Sequence, residues 1–261
     1  MGLPKYLAKY DLSGRVAVVT GGGQGIGLAS AHALAEAGAS VIIADRDALA
    51  AAEGQRALAR AGYDAQTVLL DVTRSDQVEE VAADLERRTG GVDILVNNAG
   101  IARSGTPAEE VADELWLDVL NVNLNGVFYC ARAFGRRMLE RQRGSIVNLG
   151  SMSGRIVNKP QKQSYYNAAK AGVHHLTRSL AAEWAERHVR VNAVAPTYIE
   201  TPLTRSGMAD ATMYPVWLEM TPMRRVGQPD EIASVVLFLA SDAASLLTGS
   251  IVLADAGYCC W

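Results

Sequence analysis

Apolar runs rich in β-branched residues alternate along this chain with alanine-rich stretches of helical periodicity. The runs predict seven buried strands, at 15–20, 40–45, 65–72, 92–100, 144–151, 189–196 and 249–257. Alanine-rich stretches such as 27–38 and 47–62 predict helices between them. Strands that are apolar throughout are buried on both faces, so the alternation predicts a parallel, doubly wound sheet flanked by helices. We expect a single α/β domain over residues 1–261.

One stretch between the sixth and seventh predicted strands breaks this alternation. Residues 201–222, TPLTRSGMADATMYPVWLEMTP, form a long connection of mixed character. Long connections in compact domains tend to be functional. We therefore predict that residues 201–222 form a lid over a substrate site.

Composition and charge narrow the possible classes of function. The 261 residues include 25 basic and 28 acidic side chains, for a net charge of −3, and this balance argues against nucleic acid as the main partner. No apolar run reaches the roughly 18 residues of a membrane span, and residues 1–15 lack the apolar core of a signal peptide. The three cysteines have no zinc or disulfide spacing, so we expect no metal site and a cytoplasmic location.

A glycine-rich turn, TGGGQGIG at 20–27, joins the first predicted strand to the first predicted helix. Gly21, Gly25 and Gly27 would let the backbone approach a pyrophosphate, while the helix N-terminus offers it free N–H groups. Gln24 and Ile26 lie between these glycines. A plain tight turn is the alternative, but the strand–turn–helix context favours a Rossmann-like dinucleotide site.

Two aspartates follow the next strands. Asp45 ends the second strand about 20 residues after the glycine loop, where a carboxylate binds ribose hydroxyls and repels a 2′-phosphate. This predicts NAD as cofactor, although the adjacent Arg46 would weaken the preference over NADP, and helix capping is the alternative role for Asp45. Asp71, followed by Val72, is placed either to meet the adenine or to cap its own loop.

Further motifs complete a family resemblance. They are NNAG at 97–100, NVNLNG at 121–126, NLGSMSG at 148–154 and YNAAK at 166–170. With the glycine loop, they resemble the short-chain dehydrogenase/reductases over essentially the whole chain. The resemblance implies a homotetramer and four catalytic residues, which are Asn123, Ser151, Tyr166 and Lys170.

The same resemblance implies cofactor contacts beyond the glycine loop. It places Asn98, Gly100, Tyr166, Lys170, Pro196, Ile199 and Thr201 at the cofactor, and it implies that a helix carbonyl at Asn123 anchors a water next to Lys170. A structural role for the asparagines, tying loops together, is the alternative. The chain departs from the family at Thr197, where a glycine usually follows the proline.

The paired tyrosines are distinguished by their spacing from Lys170. Tyr166 lies four residues before the lysine and therefore on the same helix face, whereas Tyr165 lies on a different azimuth and is interpreted as a packing or pocket residue. A nearby ammonium stabilises phenolate, so we expect Lys170 to lower the pKa of Tyr166 from its usual value of about 10. Tyr166 can then act as the acid or base.

Two serines compete for the role of donor to the substrate oxygen. Ser151 lies at the end of the fifth predicted strand, and this position favours it as the catalytic hydroxyl. Ser153, thirteen residues before Tyr166, has the spacing found in many relatives. If Ser151 is catalytic, Ser153 becomes a candidate second substrate contact. His174 and His175 lack carboxylates at ligand spacing and are interpreted as helix-packing residues.

The substrate prediction rests on the serine segment. NLGSMSGRIVNKPQ and the terminal GYCCW resemble the galactitol- and sorbitol-type polyol dehydrogenases. Ser151, Ser153, Asn158 and Tyr166 would bind the substrate, with Gln161 as a further polar contact. The first hypothesis is therefore NAD-dependent oxidation of a polyol or other secondary alcohol. Reduction of a 3-oxoacyl or other carbonyl substrate and a non-catalytic dinucleotide-binding scaffold are the alternatives.

Overall fold

A parallel sheet forms the centre of the computed structural model, which describes residues 5–261. Within those residues, seven strands pair in the order β3-β2-β1-β4-β5-β6-β7, every pair parallel. The strands are β1 (Val16–Thr20), β2 (Ser40–Asp45), β3 (Ala65–Leu69), β4 (Ile94–Asn97), β5 (Gly144–Leu149), β6 (Val189–Pro196) and β7 (Ile251–Ala254). The predicted doubly wound, single-domain α/β fold is confirmed.

Helices cover both faces of this sheet. They are α1 (Gly25–Glu36), α2 (Ala48–Arg60), α3 (Ser75–Thr89), α4 (Asp113–Leu120), α5 (Gly126–Arg141), α6 (Ser164–Trp184), α7 (Arg205–Ala209), α8 (Tyr214–Met220) and α9 (Pro229–Ala240). A π-helical turn, Asn121–Asn125, joins α4 to α5. In the described part of the chain, no helix is long and apolar enough to cross a membrane.

The core consists of two apolar layers, one on each side of the sheet. Val18 of β1 belongs to the layer beneath α3, α5 and α6, whereas its neighbours Ala17 and Val19 belong to the layer beneath α1 and α9. All three side chains are fully buried. Because successive strand residues point to opposite faces, this alternation explains why the strands are apolar at every position.

The strand order reverses between β1 and β4. From β1 the chain winds outward through β2 and β3, and from β4 it winds the other way to β7. The connections that follow β1 and β4 therefore diverge, and they open a crevice at the carboxyl edge of the sheet. This crevice holds the candidate site.

Four strands end earlier than the apolar pattern predicts. β3 stops at Leu69, β4 at Asn97, β5 at Leu149 and β7 at Ala254. The residues just beyond β3 and β4 form side-chain hydrogen bonds to nearby backbone instead of extending the sheet. Asp71, for example, accepts from the backbone N–H of Thr73 at 2.9 Å. Such local bonds compete with strand pairing.

Arg190 of β6 joins the sheet to the C-terminal end of α9. Its guanidinium donates to the carbonyls of Leu239, Ala240, Ser241 and Leu247 and to Ser145 Oγ, at 2.9–3.4 Å. The last carbonyls of a helix have no partner within the helix, and the dipole there favours a cation. Arg190 therefore both satisfies these carbonyls and fixes α9 against β6.

Replacing Arg190 with Met should destabilise the protein by about 1–3 kcal/mol, because five hydrogen bonds from a charged group are lost and the Ala240 carbonyl loses its donor. Urea denaturation measures this as a lower midpoint at an unchanged slope. Arg74→Met is the control, since Arg74 pairs with Asp76 on the exposed surface and its loss should leave the midpoint unchanged. Equal midpoints for the two variants would contradict the assigned role of Arg190.

Candidate active site

A cavity of about 830 Å³ opens at the carboxyl edge of the sheet. Every residue predicted in the site lines this cavity, apart from Gly27, which lies behind the glycine loop. The segment 201–222, predicted as a lid, contributes α7, α8 and the residues before them, and several of its side chains face the same space. The cavity has the size expected of a cofactor and substrate site.

Backbone conformation at Gly21 and close packing at Gly27 require glycine in this loop. Gly21 has a φ of +60°, which favours glycine. A Cβ on Gly27 would lie 2.2 Å from the carbonyl oxygen of Gly21 and 2.4 Å from Asn98 Nδ2. The backbone is thus packed as closely as a pyrophosphate cradle requires, with the N-terminus of α1 beginning at Gly25. These residues fit a dinucleotide.

Asn98 holds the glycine loop in place. Its Nδ2 donates to the carbonyls of Thr20 and Gly21, both at 2.9 Å, and its backbone N–H donates to Thr20 Oγ1 at 3.0 Å. The side chain therefore ties the end of β4 to the end of β1. These contacts are those expected of the alternative role given for the asparagines, which is to tie loops together.

Asp45 lies partly buried at the end of β2, facing the glycine loop. Oδ2 accepts from the Gly23 N–H at 3.2 Å, and Oδ1 accepts from the Asp47 N–H at 3.1 Å. Helix capping is performed by Asp47, which accepts from the N–H groups of Leu49 and Ala50. The alternative role for Asp45 as the cap of α2 is therefore wrong, and its carboxylate lines the cavity.

Asp71 caps its own loop and also lines the cavity. One oxygen accepts from the Thr73 N–H at 2.9 Å and from Thr73 Oγ1 at 2.7 Å, so the side chain caps its loop while lining the cavity. Val72 packs against the start of α5, since a Cβ on Gly126 would lie 2.7 Å from Val72 Cγ2. This contact sets the position of the loop after β3, which forms one wall of the cavity.

Tyr166 and Lys170 lie on α6 with their side chains together, as their spacing predicts. Lys170 Nζ lies 5.7 Å from the centre of the Tyr166 ring and donates to the Leu149 carbonyl at 2.8 Å. Tyr165 is fully buried in a cluster with Val119 and Ala169, which confirms it as a packing residue. Only Tyr166 of the pair lines the cavity.

Burial governs the ionisation of this pair. It raises the pKa of Tyr166, and the neighbouring Ser151 hydroxyl opposes the increase. Burial also lowers the pKa of Lys170 to about 8. The expectation that Lys170 brings the pKa of Tyr166 below its usual value is therefore wrong for this structure, because desolvation penalises the phenolate more than its neighbours stabilise it.

Asn123 lies in the π-helical turn and is fully buried. Its Nδ2 donates to the carbonyls of Ile101 and Val119 at 2.9 and 3.0 Å, and Oδ1 accepts from the Ile101 N–H at 3.2 Å. A Cβ on Gly100 would lie 2.9 Å from Asn123 Oδ1 and 3.9 Å from Lys170 Nζ. Asn123 thus ties a loop and lies next to the lysine, at a kind of helix irregularity that is frequent at functional sites.

The two serines form one hydrogen-bonded row with Asn158. Ser151 Oγ donates to Ser153 Oγ at 3.0 Å, and Ser153 Oγ donates to Asn158 Oδ1 at 2.6 Å. Ser151 follows β5 by two residues and lies beside Tyr166. The proton of Ser153 is directed at Asn158, so Ser153 faces its other neighbours as an acceptor.

Three side chains that were not among the predicted site residues extend this row. Gln163 Nε2 donates to Asn158 Oδ1 at 3.1 Å and to Ser153 Oγ at 3.4 Å. Tyr198 OH accepts from Asn158 Nδ2 at 3.1 Å, and Trp217 stacks on the Tyr198 ring. One signal was available for Gln163, which lies three residues before Tyr166 and faces the same side of the helix. Tyr198 and Trp217 have no comparable local signal.

Other expectations concern Thr197 and the paired histidines. Thr197 does not have a positive φ, so its backbone does not need the glycine usual at this position. His174 is buried against Gly150 and Gly154, with Nε2 2.6 Å from where a Cβ on Gly150 would lie, so it is confirmed as a packing residue. His175 is exposed, so the prediction that it is a packing residue is wrong. Among residues 5–261, no group of three or more His, Cys, Asp or Glu side chains is arranged to hold a metal ion.

Known proteins are similar to this chain over nearly its whole length. The family model described as enoyl-(acyl carrier protein) reductase matches residues 21–259. Galactitol 2-dehydrogenase of Rhizobium johnstonii is 56% identical, and the match covers 98% of this chain and 99% of that protein.

Two solved structures have the same fold over nearly the whole chain. The crystal structure of gox2181 is 55% identical with a TM-score of 0.97, covering 98% of this chain and 100% of that one. The gluconate 5-dehydrogenase of Burkholderia cenocepacia J2315, solved with NADP and tartrate, is 38% identical with a TM-score of 0.93 at the same coverage. With its glycine loop, serine, tyrosine and lysine gathered at one cavity, the chain belongs to the short-chain dehydrogenase/reductases, oxidoreductases that act on CH–OH groups with a nicotinamide dinucleotide.

Proposed function

We propose that the protein interconverts a secondary alcohol of a polyol or vicinal diol and its ketone, with NAD as cofactor. The observation that carries the proposal is the polar row of Ser151, Ser153, Asn158 and Tyr198 beside Tyr166. A buried polar wall favours a substrate with several hydroxyls, because hydroxyls can exchange hydrogen bonds with these groups and an apolar substrate cannot. The similarity to a galactitol 2-dehydrogenase supports the same substrate class.

Tyr166 is the proton-transfer group in this proposal. In the oxidative direction its phenolate takes the hydroxyl proton of the substrate, while the Ser151 hydroxyl turns from Ser153 to donate a hydrogen bond to the same oxygen. The bound nicotinamide supplies the hydride acceptor, which no side chain can provide. In the reverse direction the phenol returns its proton to the ketone oxygen. Burial raises the pKa of Tyr166 and so keeps the phenol protonated for this step.

Lys170 supports Tyr166 by charge and by position. Its ammonium lies close to the ring and is held by the Leu149 carbonyl, so it stabilises the phenolate when that forms. With a pKa of about 8 the lysine is charged at neutral pH and loses this charge as the pH rises through that value. We also propose that it binds the nicotinamide ribose, with Asn123 anchoring a water beside it.

The remaining cofactor contacts follow the edge of the cavity. We assign the pyrophosphate to the glycine loop and the adenine side to Asp71, Val72 and Asn98. The nicotinamide side falls to Gly100, Pro196, Ile199 and Thr201, and Thr201 lies next to the loop, its Cγ2 3.4 Å from where a Cβ on Gly25 would lie.

NAD is proposed over NADP because of Asp45. Its carboxylate lines the cavity at the end of β2, where a 2′-phosphate would meet like charge. Arg46 lines the same space and would offset part of this repulsion, and the similar gluconate 5-dehydrogenase was solved with NADP. The proposal is therefore a preference for NAD and not an exclusion of NADP.

We extend the proposal to assembly and location. Phe128 of α5 and Leu117 of α4 are exposed apolar side chains close to the helix turn that carries Asn123, and helix packing there suits the proposed homotetramer. Within residues 5–261 all three cysteines are free thiols, as suits the reducing cytoplasm.

A substrate panel tests the reaction. Galactitol and sorbitol should be oxidised with NAD, and Tyr166→Phe should reduce kcat at least about 100-fold because the proton acceptor is lost. Tyr165→Phe is the matched control and should retain activity, since its hydroxyl has no hydrogen-bond partner among the described residues. If initial rates showed only NADPH-linked reduction of a 3-oxoacyl thioester, the carbonyl-reductase alternative would replace the proposal.

The two serines should differ in effect. Ser151→Ala should lower kcat/KM for the polyol roughly 100-fold, because it removes the donor to the reacting oxygen. Ser153→Ala should lower it roughly 10-fold, chiefly through KM, because it removes a contact to a second hydroxyl. Steady-state kinetics on both variants provides the comparison, and the reverse order of losses would make Ser153 the catalytic serine.

Removing the charge of Asp45 should relax the cofactor preference. Asp45→Asn should raise the ratio of kcat/KM with NADP to that with NAD by roughly 10-fold or more, because the repulsion of a 2′-phosphate is lost. Asp47→Asn, two residues away and directed at the N-terminus of α2, should leave the ratio unchanged. An unchanged ratio in Asp45→Asn would show that another group selects the cofactor.

A further inference from the structure

Gln161 lies in the connection between β5 and α6 and contacts the segment 201–222. Its Oε1 accepts from the Trp217 indole N–H at 3.1 Å, and its Nε2 donates to Tyr198 OH at 3.0 Å. Trp217 belongs to α8, whereas Tyr198 follows β6. A single amide thus joins three separate parts of the cavity wall.

The chemistry of the partners fixes how this amide is turned. An indole N–H can only donate, so the end of Gln161 that faces Trp217 must be the carbonyl oxygen. The amide nitrogen then faces Tyr198 OH, which also accepts from Asn158 Nδ2 at 3.1 Å. Both ends of the Gln161 amide are therefore used within the protein, and we do not assign it the direct substrate contact expected from the sequence.

Trp217 is the side chain that holds α7 and α8 against the body of the protein. It is 3% exposed, and its ring stacks on Tyr198 with centroids 3.9 Å apart and planes 6° from parallel. A Cβ on Gly207 would lie 2.3 Å from Trp217 Cη2, so α7 packs directly on the indole. Fixing this indole fixes both short helices over the cavity.

We propose that Gln161 is a positioning residue that fastens α7 and α8 over the cavity and holds the substrate-facing polar row in register. Through Trp217 it restrains the two helices, and through Tyr198 and Asn158 it restrains Ser153. Closure of the cavity and orientation of the substrate contacts are thus coupled at one amide. The kinetic part of this proposal rests on the proposed polyol oxidation, whereas the restraint on α7 and α8 does not.

The test compares two substitutions at the same position. Gln161→Leu removes the hydrogen bonds to Trp217 and to Tyr198 OH. Tyr198 OH also lies 3.2 Å from Gln161 Oε1 and can donate to it, so Gln161→Glu keeps oxygens that accept from the indole and from Tyr198 OH. Gln161→Leu should lower kcat/KM for the polyol roughly 10-fold or more, mainly through KM, with KM for NAD changed less than about 2-fold. Gln161→Glu should restore most of the loss, and equal damage in the two variants would overturn the proposal.

The restraint on α7 and α8 has its own readout in the intact protein. Limited proteolysis within 201–222 should be several-fold faster for Gln161→Leu than for the unsubstituted protein, at unchanged far-ultraviolet circular dichroism. Trp261→Phe is the control and should be cleaved no faster than the unsubstituted protein. It also removes an indole N–H that bonds α8, at the Met220 carbonyl, but this N–H does not contact Gln161. Cleavage as slow in Gln161→Leu as in the unsubstituted protein would overturn the proposed restraint, even if no polyol proved to be a substrate.

A double-mutant cycle then isolates the bond itself. Trp217→Phe removes the indole N–H but keeps an aromatic ring on Tyr198. If Gln161 acts through this N–H, the effects of Gln161→Leu and Trp217→Phe on cleavage rate should be clearly less than multiplicative in the double variant. Fully multiplicative effects would show that the two side chains act independently and would overturn the proposal.

Discussion

The joint between β1 and β4 is the constraint on which the site depends. The strand order reverses there, and Asn98 bridges the two strand ends through the Thr20 and Gly21 carbonyls. Gly27 packs so closely behind this bridge that no side chain fits. The position of the glycine loop, and with it the N-terminus of α1, is therefore set by backbone contacts and one amide, and every other part of the cavity is placed relative to it.

A second joint fixes the reacting groups. Lys170 donates to the Leu149 carbonyl at the end of β5, and His174, one turn later, fills the space beside Gly150 and Gly154. These contacts dock α6 against the segment that carries Ser151. Tyr166 and Ser151 come from different elements, yet their separation is determined by this docking, which is how a fold holds reacting groups to the tolerance that catalysis needs.

The sequence predicts the fold well, because seven apolar runs separated by helices allow few other arrangements. It also distinguishes Tyr166 from Tyr165, since helical spacing is a local property. It fails where the outcome depends on contacts distant in the chain. Tyr198 and Trp217 meet only after β6 and α8 are in place, and the raised pKa of Tyr166 reflects burial that no spacing reports. The apolar pattern also predicts strands that are too long, because side-chain hydrogen bonds to nearby backbone end the strand pairing.

His174 has a consequence for the electrostatics of the site. It lies within a turn of Lys170, and burial, with help from Lys170 and Arg178, lowers its pKa to about 4. The imidazole therefore stays neutral over the whole pH range in which Tyr166 and Lys170 gain or lose their protons. A histidine that titrated near neutrality would place a second positive charge beside the ammonium and divide the response to pH between two groups. Here the ring serves as an uncharged spacer, and Tyr166 and Lys170 remain the titratable pair of α6 that lines the cavity.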